Sequence, residues 1–374
     1  MPKVSIIVPT YNVEMYLDEC MTSLLSQTLR DIEIVCVNDG STDHSLEILK
    51  QYAAKDSRIK IIDKPNGGYG HAMNVGLDHS TGDYIGILEP DDYVKPKMYK
   101  DLYKLAVKYD VDIIKADFYR FVHDEEGTQV NDYNELTGDK ELYRRVLNPA
   151  DKPEVFYAIM NTWSGIYKRS FLLEHHIRHH ETPGASFQDN GFWFKTFCYA
   201  KRLYFVNVPY YMNRRDNPNS SVHNKEKVFC MNDEYAYIRE FLEENPEFKK
   251  RYLGIYQYKR YYNYVASYYR VGEEYKELYL KRFQKEFREA MAAGELRKDV
   301  FTAEEWNLIG ILLEDPTTFK YEERIYQVTI EKEKIQRLCW EIEMIQNSST
   351  FKVGKIVMWI PCELKNLILK VKKL

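Results

Sequence analysis

Four aspartates stand where their neighbours would let them do chemistry. Asp39 sits in Val37-Asn38-Asp39-Gly40-Ser41-Thr42-Asp43, Asp91 and Asp92 sit in Glu89-Pro90-Asp91-Asp92, and Asp189 sits in Phe187-Gln188-Asp189-Asn190. The first two motifs follow short apolar runs, Ile32–Val37 and Tyr84–Leu88. Carboxylates that close buried strands come out at the edge of a sheet, where open α/β folds bind ligands. Acids gathered at one edge repel each other unless a cation or polar ligand joins them. A divalent metal carrying a diphosphate is the natural partner.

Other residues could complete such a site. Pro9, Thr10, Tyr11 and Asn12 close the first apolar run. Pro9 is expected to end strand pairing, leaving a hydroxyl and an aromatic face at the sheet edge. Asp39 could then accept a hydrogen bond from the N3–H of uracil, with Tyr11 against the base. Taken singly, Tyr11 also fits a packed turn residue, and Asp39 a turn or cap residue before Gly40. The glycines of Asn66-Gly67-Gly68-Tyr69-Gly70 do not form a dinucleotide fingerprint, because the third glycine is missing and no such loop follows the first strand. His175, His176, His179 and His180 have spacings that suggest a metal, but only Glu181 is placed to complete a shell, so they read as a polar surface.

The elements that must position these groups follow from periodicity. Val4–Val8, Ile32–Val37, Ile59–Ile62 and Tyr84–Leu88 read as strands, with helices over Glu14–Gln27, from Ser41-Thr42-Asp43 to about Ala54, and over Gly70–His79. Such alternation implies an α/β fold, Rossmann-like, with a mostly parallel sheet and helices on both faces. The stretch from Val122 to Asn161 is polar and reads as an insertion or lid. Strands are expected at 163–167 and 204–208, and a helix at 189–200. After about Lys225 the texture changes to long helices rich in Tyr, Lys and Glu. The last of them, 321–346, reads as a short coiled coil or a helix lying on the first domain.

Composition sets bounds. The 374 residues suit one large domain plus a smaller one, and the net charge of -4 argues against a nucleic-acid binder. The 32 tyrosines suit sugar stacking, interface contact or helix packing. Six scattered cysteines without a C-x-x-C pair match neither a zinc site nor a disulfide framework, which fits a reducing, cytoplasmic compartment. The N-terminal apolar run is too short for a signal peptide, and no segment has the ~18 apolar residues that span a bilayer.

Val8-Pro9-Thr10-Tyr11-Asn12, Asn38-Asp39-Gly40-Ser41-Thr42-Asp43 and Glu89-Pro90-Asp91-Asp92, in this order and spacing, resemble family 2 glycosyltransferases with the GT-A fold. The resemblance covers residues 1–225 and implies an inverting enzyme that uses a nucleotide-diphospho-sugar, such as a UDP-sugar, with Mn²⁺ or Mg²⁺. It makes Asp91 the metal-binding acid. Glu89 stands where the family usually has Asp and would contact sugar or ribose hydroxyls, with Asp92 beside it in the donor site. Asp189 matches the general base of the family, although Gln188 departs from the usual Glu-Asp pair; an N-cap is the structural alternative. Gly67 and Gly68 match the segment before the metal motif and would let the backbone approach the donor. Arg214 and Arg215 match a flexible loop that closes over the diphosphate, and arginine's planar fork suits phosphate.

Similar enzymes build bacterial surface glycans, such as capsule, O-antigen or teichoic-acid-linked polymers, often on a lipid carrier. The expected organisation is a catalytic domain at 1–225, a helical region at 226–346 and a basic amphipathic tail at 347–374. The tail carries Lys352, Lys355, Lys365, Lys370, Lys372 and Lys373 among Trp359, Leu364, Leu367, Ile368 and Val371. It reads as a peripheral membrane anchor at the inner face of the cell membrane, or as a helix packing on protein or a homodimer contact. Rival readings for the whole chain are a nucleotide-sugar-binding protein that has lost transfer and an assembly scaffold.

Overall fold

The computed structural model describes residues 2–185, 187–220 and 224–348. Strands and helices alternate from the start: β1 (Val4–Thr10), α1 (Glu14–Leu25), β2 (Ile32–Asp39), α2 (Ser45–Ala53), β3 (Ile59–Lys64), α3 (Tyr69–His79) and β4 (Tyr84–Ile87). Every residue of β1, β2 and β4 is buried. This is why their sequences run apolar instead of alternating: a parallel strand covered on both faces has no solvent side. The four strands pair in parallel, in the order β3-β2-β1-β4. The chain continues through β5 (Tyr93–Val94), α4 (Met98–Tyr109), β6 (Ile113–His123), β7 (Gln129–Asn134), β8 (Val146–Leu147), β9 (Gly165–Lys168), α5 (Arg169–Glu174), α6 (Asp189–Tyr199) and β10 (Leu203–Arg214). β9 lies antiparallel between β4 and β6, and β10 runs parallel to β6. The result is a mixed α/β sheet whose parallel half carries the motifs.

Three local expectations are corrected or refined. β1 does not stop at Pro9: it stays in register with β2 through Thr10, opposite Asn38. Proline removes one donor from the ladder but leaves its carbonyl. The polar stretch from Val122, expected as an insertion or lid with weak signals, carries a regular strand, since β7 pairs antiparallel with the end of β6. Its sequence, Gln-Val-Asn-Asp-Tyr-Asn, has no buried face. Main-chain pairing makes it a strand, with Tyr133 donating its hydroxyl to Asp117 at 2.5 Å. The strand expected at 204–208 extends to Arg214, and that extension builds much of the site.

Many of the tyrosines pack helices, some as core and others half-buried. α7 (Cys230–Glu244), α8 (Pro246–Arg270) and α9 (Lys276–Ala292) follow the sheet. Tyr235, Tyr252, Tyr256, Tyr264, Tyr268 and Tyr279 are buried. Tyr252 packs on Phe156 with ring centroids 4.8 Å apart, and Tyr256 reaches Phe194 of α6 at 6.4 Å. The first compact unit therefore runs through residue 283 and takes in 290–300. The second holds 284–289 and the chain from 301, with α10 (Ala303–Glu314) and α11 (Pro316–Asn347). A Thr302–Glu305 capping box starts α10, and the Asp315 side chain accepts the Thr317 amide to start α11. Among the described residues no helix is long and apolar enough to cross a membrane. The tail lies outside them.

At the end of β2 away from Asp39, Glu33 is buried among donors. Ser5 Oγ and Lys60 Nζ reach it at 2.5 Å, and Thr81 donates through its amide and hydroxyl. Burial pushes its carboxyl up, but Lys60, Ser5 and Thr81 together hold it down at about 2. A depressed carboxylate stabilises the fold above its unfolded value. That contribution is lost as pH falls from about 4.5 through about 2. Glu33→Gln should cost about 2–3 kcal/mol at pH 7, and the difference from wild type should vanish by about pH 2. Urea unfolding at pH 7, 4 and 2 measures both.

Candidate active site

Asp39, the last residue of β2, is held by the segment after β3. The Gly67 and Gly68 amides donate to its two oxygens at 2.9 Å each, and Lys64 forms an ion pair with Oδ1. Asn66 Nδ2 donates to its carbonyl at 3.0 Å. A Cβ on Gly67 would meet the His71 and Lys64 side chains, whereas Gly68 admits protein backbone. Gly68 has φ +88°, and a Cβ there would sit 2.4 Å from Thr182 O. A Cβ on Gly70 would meet His180 O at 1.9 Å, so α3 starts directly against the 180–184 segment. Tyr11, 49% exposed, stands beyond β1. Asn12 follows at φ 51°, its Oδ1 accepting the Thr42 amide at 2.8 Å.

The second acidic group follows β4. Tyr69 at the start of α3 donates to Glu89 Oε1 at 2.7 Å. Desolvation pushes the Glu89 carboxyl up to about 8, the Tyr69 hydroxyl opposing it and Asp91 and Asp189 adding to it. Asp92 is fully buried on β10: Tyr211 Oη donates at 2.7 Å, Asn213 Nδ2 at 3.0 Å and the Arg214 amide at 2.6 Å. Burial raises its carboxyl, with Asp91 adding and these donors opposing. Asp92 is therefore a strut that fixes the loop. Asp91 next to it is partly exposed and accepts one hydrogen bond at Oδ2, from Asn217 Nδ2 at 2.9 Å.

Arg214 is not in a flexible loop. It ends β10, is buried, pairs with Glu19 and Asp216, and donates to the Asp91 carbonyl at 2.9 Å. Its guanidinium also lies 4.8 Å from the Tyr16 ring centroid and 4.7 Å from that of Phe121. Arg215 is exposed.

Asp189 opens α6 as its first helical residue and is not its N-cap. Phe192, Trp193, Phe197 and Cys198 are buried as expected, and Asn190, Gly191, Phe194 and Thr196 are buried with them, so α6 is covered on nearly every side. Asp189 is half-buried. Desolvation pushes its carboxyl up to about 6, Glu234 of α7 adding to the rise. The helix-start amides of Asp189 and Asn190, then Lys115, oppose it. Gln188 turns away into the neighbouring backbone, where its Nε2 donates to Thr182 Oγ1 at 2.7 Å and Gly184 O at 2.9 Å.

His175, His179 and His180 pack on aromatic rings, while His176 is exposed, so the expected polar surface is met only there. His179 is buried against Phe192 with centroids 4.1 Å apart, and desolvation lowers it to about 3. His175 stacks on Tyr199 and His180 on Tyr237. Among the described residues no group of three or more His, Cys, Asp or Glu could cage a metal. Asp91, a partly open carboxylate, has the oxygen chemistry that a hard cation such as Mg²⁺ would take.

Sequence reasoning missed Tyr69, Tyr211, Asn213, Asn217, Lys64 and Glu234. Asn217 lay within the Arg-Arg-Asp-Asn-Pro-Asn run, and polar residues near a motif are the one signal that could have drawn attention to it. Glu234 is 43 residues from its partner Gly191 and had no signal.

The family model described as Glycosyl transferase family 2 matches residues 5–180. The uncharacterized glycosyltransferase EpsJ of Bacillus subtilis (strain 168) is 36% identical over 222 residues, 59% of this chain and 62% of that protein, so the match spans less than two thirds of that relative. Glycosyltransferase GlyG of Streptococcus pneumoniae serotype 4 is 31% identical over 224 residues, 57% of this chain and 70% of GlyG. Among solved structures, S. aureus TarS 1-349 in complex with UDP-GlcNAc has a TM-score of 0.65 at 19% identity, over 87% of this chain and 92% of that one. The mannosyltransferase PcManGT of Pyrobaculum calidifontis, in complex with GDP-Man and Mn²⁺, has a TM-score of 0.50 at 17% identity, over 85% and 86%. At these identities the structural likeness concerns the fold, which is the GT-A type.

Proposed function

Because the chain belongs to glycosyl transferase family 2, we propose that it is an inverting glycosyltransferase moving a sugar from a UDP-sugar to a hydroxyl of a glycan or lipid-linked acceptor. The observation that carries this reading is Glu89, which accepts the Tyr69 hydroxyl at 2.7 Å and feels both Asp91 and Asp189, acids from the loop after β4 and the start of α6. Structure alone gives no reason to gather them. They suit a site that receives a cation and a hydroxyl group.

Asp189 accepts the proton of the acceptor hydroxyl as that oxygen forms its bond to the sugar C1. The C1–O bond to the diphosphate breaks on the opposite face, its electron pair leaving with UDP. Asp91 would hold a cation, Mn²⁺ or Mg²⁺, which when bound would supply positive charge to the leaving diphosphate. Glu89 takes a sugar or ribose hydroxyl. Asp39 accepts uracil N3–H: its oxygens have about four acceptor directions, and two amides and Lys64 fix the carboxylate. Tyr11 lies against the base, with Pro9, Thr10 and Asn12 shaping that wall. Gly67 and Gly68 serve by orienting Asp39. Arg214 positions the Asp91 backbone, and exposed Arg215 is left for the phosphates.

The UDP-GlcNAc in TarS and the GDP-Man with Mn²⁺ in the mannosyltransferase support a nucleotide-sugar donor. A thermal-shift screen of nucleoside diphosphates with MnCl₂ tests the choice. UDP at about 100 times its dissociation constant should stabilise by about 2.7 kcal/mol. GDP stabilising more than UDP would overturn the base assignment.

The basic tail after 350 is proposed to hold the enzyme at the anionic inner face of the membrane, where a lipid-linked acceptor lies. Full-length protein should co-sediment with phosphatidylglycerol vesicles, and a version truncated after Asn347 should not. Equal binding by both, or by neither, would count against an anchor.

A further inference from the structure

We infer that Glu234, on α7, is a positioning residue for Asp189: it anchors the first turn of α6 and places a second buried negative charge behind the carboxyl. The inference rests on the proposed role of Asp189 and deepens it, because it makes a helix outside the sheet part of the acceptor-side machinery.

Glu234 is 2% exposed. Its Oε1 accepts the Gly191 amide at 2.8 Å, two residues into α6 from Asp189. Its Oε2 meets His180 Nδ1 at 2.9 Å. Residue 191 has to be glycine for this contact, since a Cβ there would lie 2.5 Å from Glu234 Oε1. The first amides of a helix have no partner within the helix, so a buried carboxylate here satisfies one of them and fixes where the helix begins. The same side chain reaches the other wall. His180 stacks on Tyr237 of α7 at 4.0 Å, and the His180 carbonyl abuts Gly70 in α3, beside the Tyr69 that holds Glu89. One carboxylate thus ties α7 to both the α6 start and the segment packed on α3.

The charge has a second effect. The groups acting on or facing Asp189 are Glu89 after β4, Tyr69 of α3, Lys115 of β6, Tyr167 of β9 and Glu234 of α7. Glu234 itself faces His180 and acts on Lys195 and Tyr237. A like charge held in a desolvated site disfavours ionisation of its neighbour. Glu234 therefore makes Asp189 a stronger proton acceptor, closer to neutral pH, which suits a general base.

The test is a pH titration of the Asp189 carboxyl carbon by ¹³C NMR on full-length protein labelled at Asp Cγ. The resonance is assigned by its absence from Asp189→Asn. Wild type should titrate near 6. Glu234→Gln keeps an acceptor for Gly191 but removes the charge, and its midpoint should fall by at least ~0.5 unit. Gly191→Ala, which pushes the carboxylate away at constant charge, should lower it too and serves if Glu234→Gln does not fold. Coincident midpoints in wild type and the variants would overturn the inference. So would an equal shift in His180→Gln with none in Glu234→Gln, which would assign the effect to the imidazole. This readout needs no substrate, so its failure is distinct from failure of the base role, which turnover of Asp189→Asn decides.

Discussion

Asp189→Asn should reduce turnover by about two to four orders of magnitude, the usual contribution of a positioned base, while UDP affinity with Mn²⁺ stays within about twofold. The same substitution should make the protein more stable. Asp189 has an ordinary value of 3.8, raised to about 6 in the fold by burial first and then by Glu234. A carboxyl raised in the fold costs stability wherever it must ionise. The cost starts above about pH 3.8 and is complete above about pH 6. The shift corresponds to about 1–3 kcal/mol at neutral pH, so the asparagine variant should melt several degrees higher. An inactive but more stable variant marks a functional group held against the preference of the fold. The pH dependence carries the same sign: kcat/KM should drop as pH falls through about 6, as the base takes up its proton. Near-normal turnover in Asp189→Asn would remove this residue from the chemistry.

Asp91→Ala should abolish metal-dependent donor binding and leave the fold intact. Asp91 is partly exposed and receives one hydrogen bond, from Asn217, whereas Asp92 is buried under three donors. The two neighbours should therefore separate cleanly. Losing even a residue that orients a metal ligand costs about 10–100-fold in metal affinity, so with the ligand itself removed calorimetry should find UDP affinity in Mn²⁺ reduced by roughly 100-fold or more, with an unchanged melting temperature. Asp92→Ala should instead melt earlier, because Tyr211, Asn213 and the Arg214 amide lose their acceptor. Undiminished affinity in Asp91→Ala would mean that the cation is held elsewhere.

How much of this was legible in the sequence depends on the range of the interaction. β1, β2, β4 and the helix from Asp189 announce themselves, because burial on both faces or one writes a local pattern of apolar residues. The acids at strand ends were legible for the same reason: the strand fixes where its last residue emerges. What closes the site was not. Arg214 looked like loop because nothing in Tyr-Tyr-Met-Asn-Arg-Arg says that β10 runs on beside β6. Tyr211 and Asn213 then bind Asp92 across more than a hundred residues. Gly67 and Gly68 read as space for a ligand; at Gly68 that space is filled by Thr182 and Gly184, whereas exposed Gly67 faces only the His71 and Lys64 side chains. The tyrosines already pointed to helix packing, but which of them are core, such as Tyr235, Tyr252, Tyr256 and Tyr264, is decided by how α7 and α8 pack. Gln188 is the instructive case. Its departure from the usual acidic pair suggested a weakened base, but its side chain braces the 182–184 backbone, and the second acid arrives from α7.

The most direct measurement is nucleoside diphosphate release by the full-length protein from a panel of UDP-hexoses and UDP-N-acetylhexosamines, UDP-GlcNAc included, with MnCl₂. Sugar transfer through Asp91 and Asp189 predicts UDP release from at least one member, abolished by EDTA and by Asp91→Ala, and reduced by about two orders of magnitude or more in Asp189→Asn. Release that persists at the wild-type rate in EDTA and in both variants, or no release from any member together with no thermal stabilisation by UDP and Mn²⁺, would contradict it.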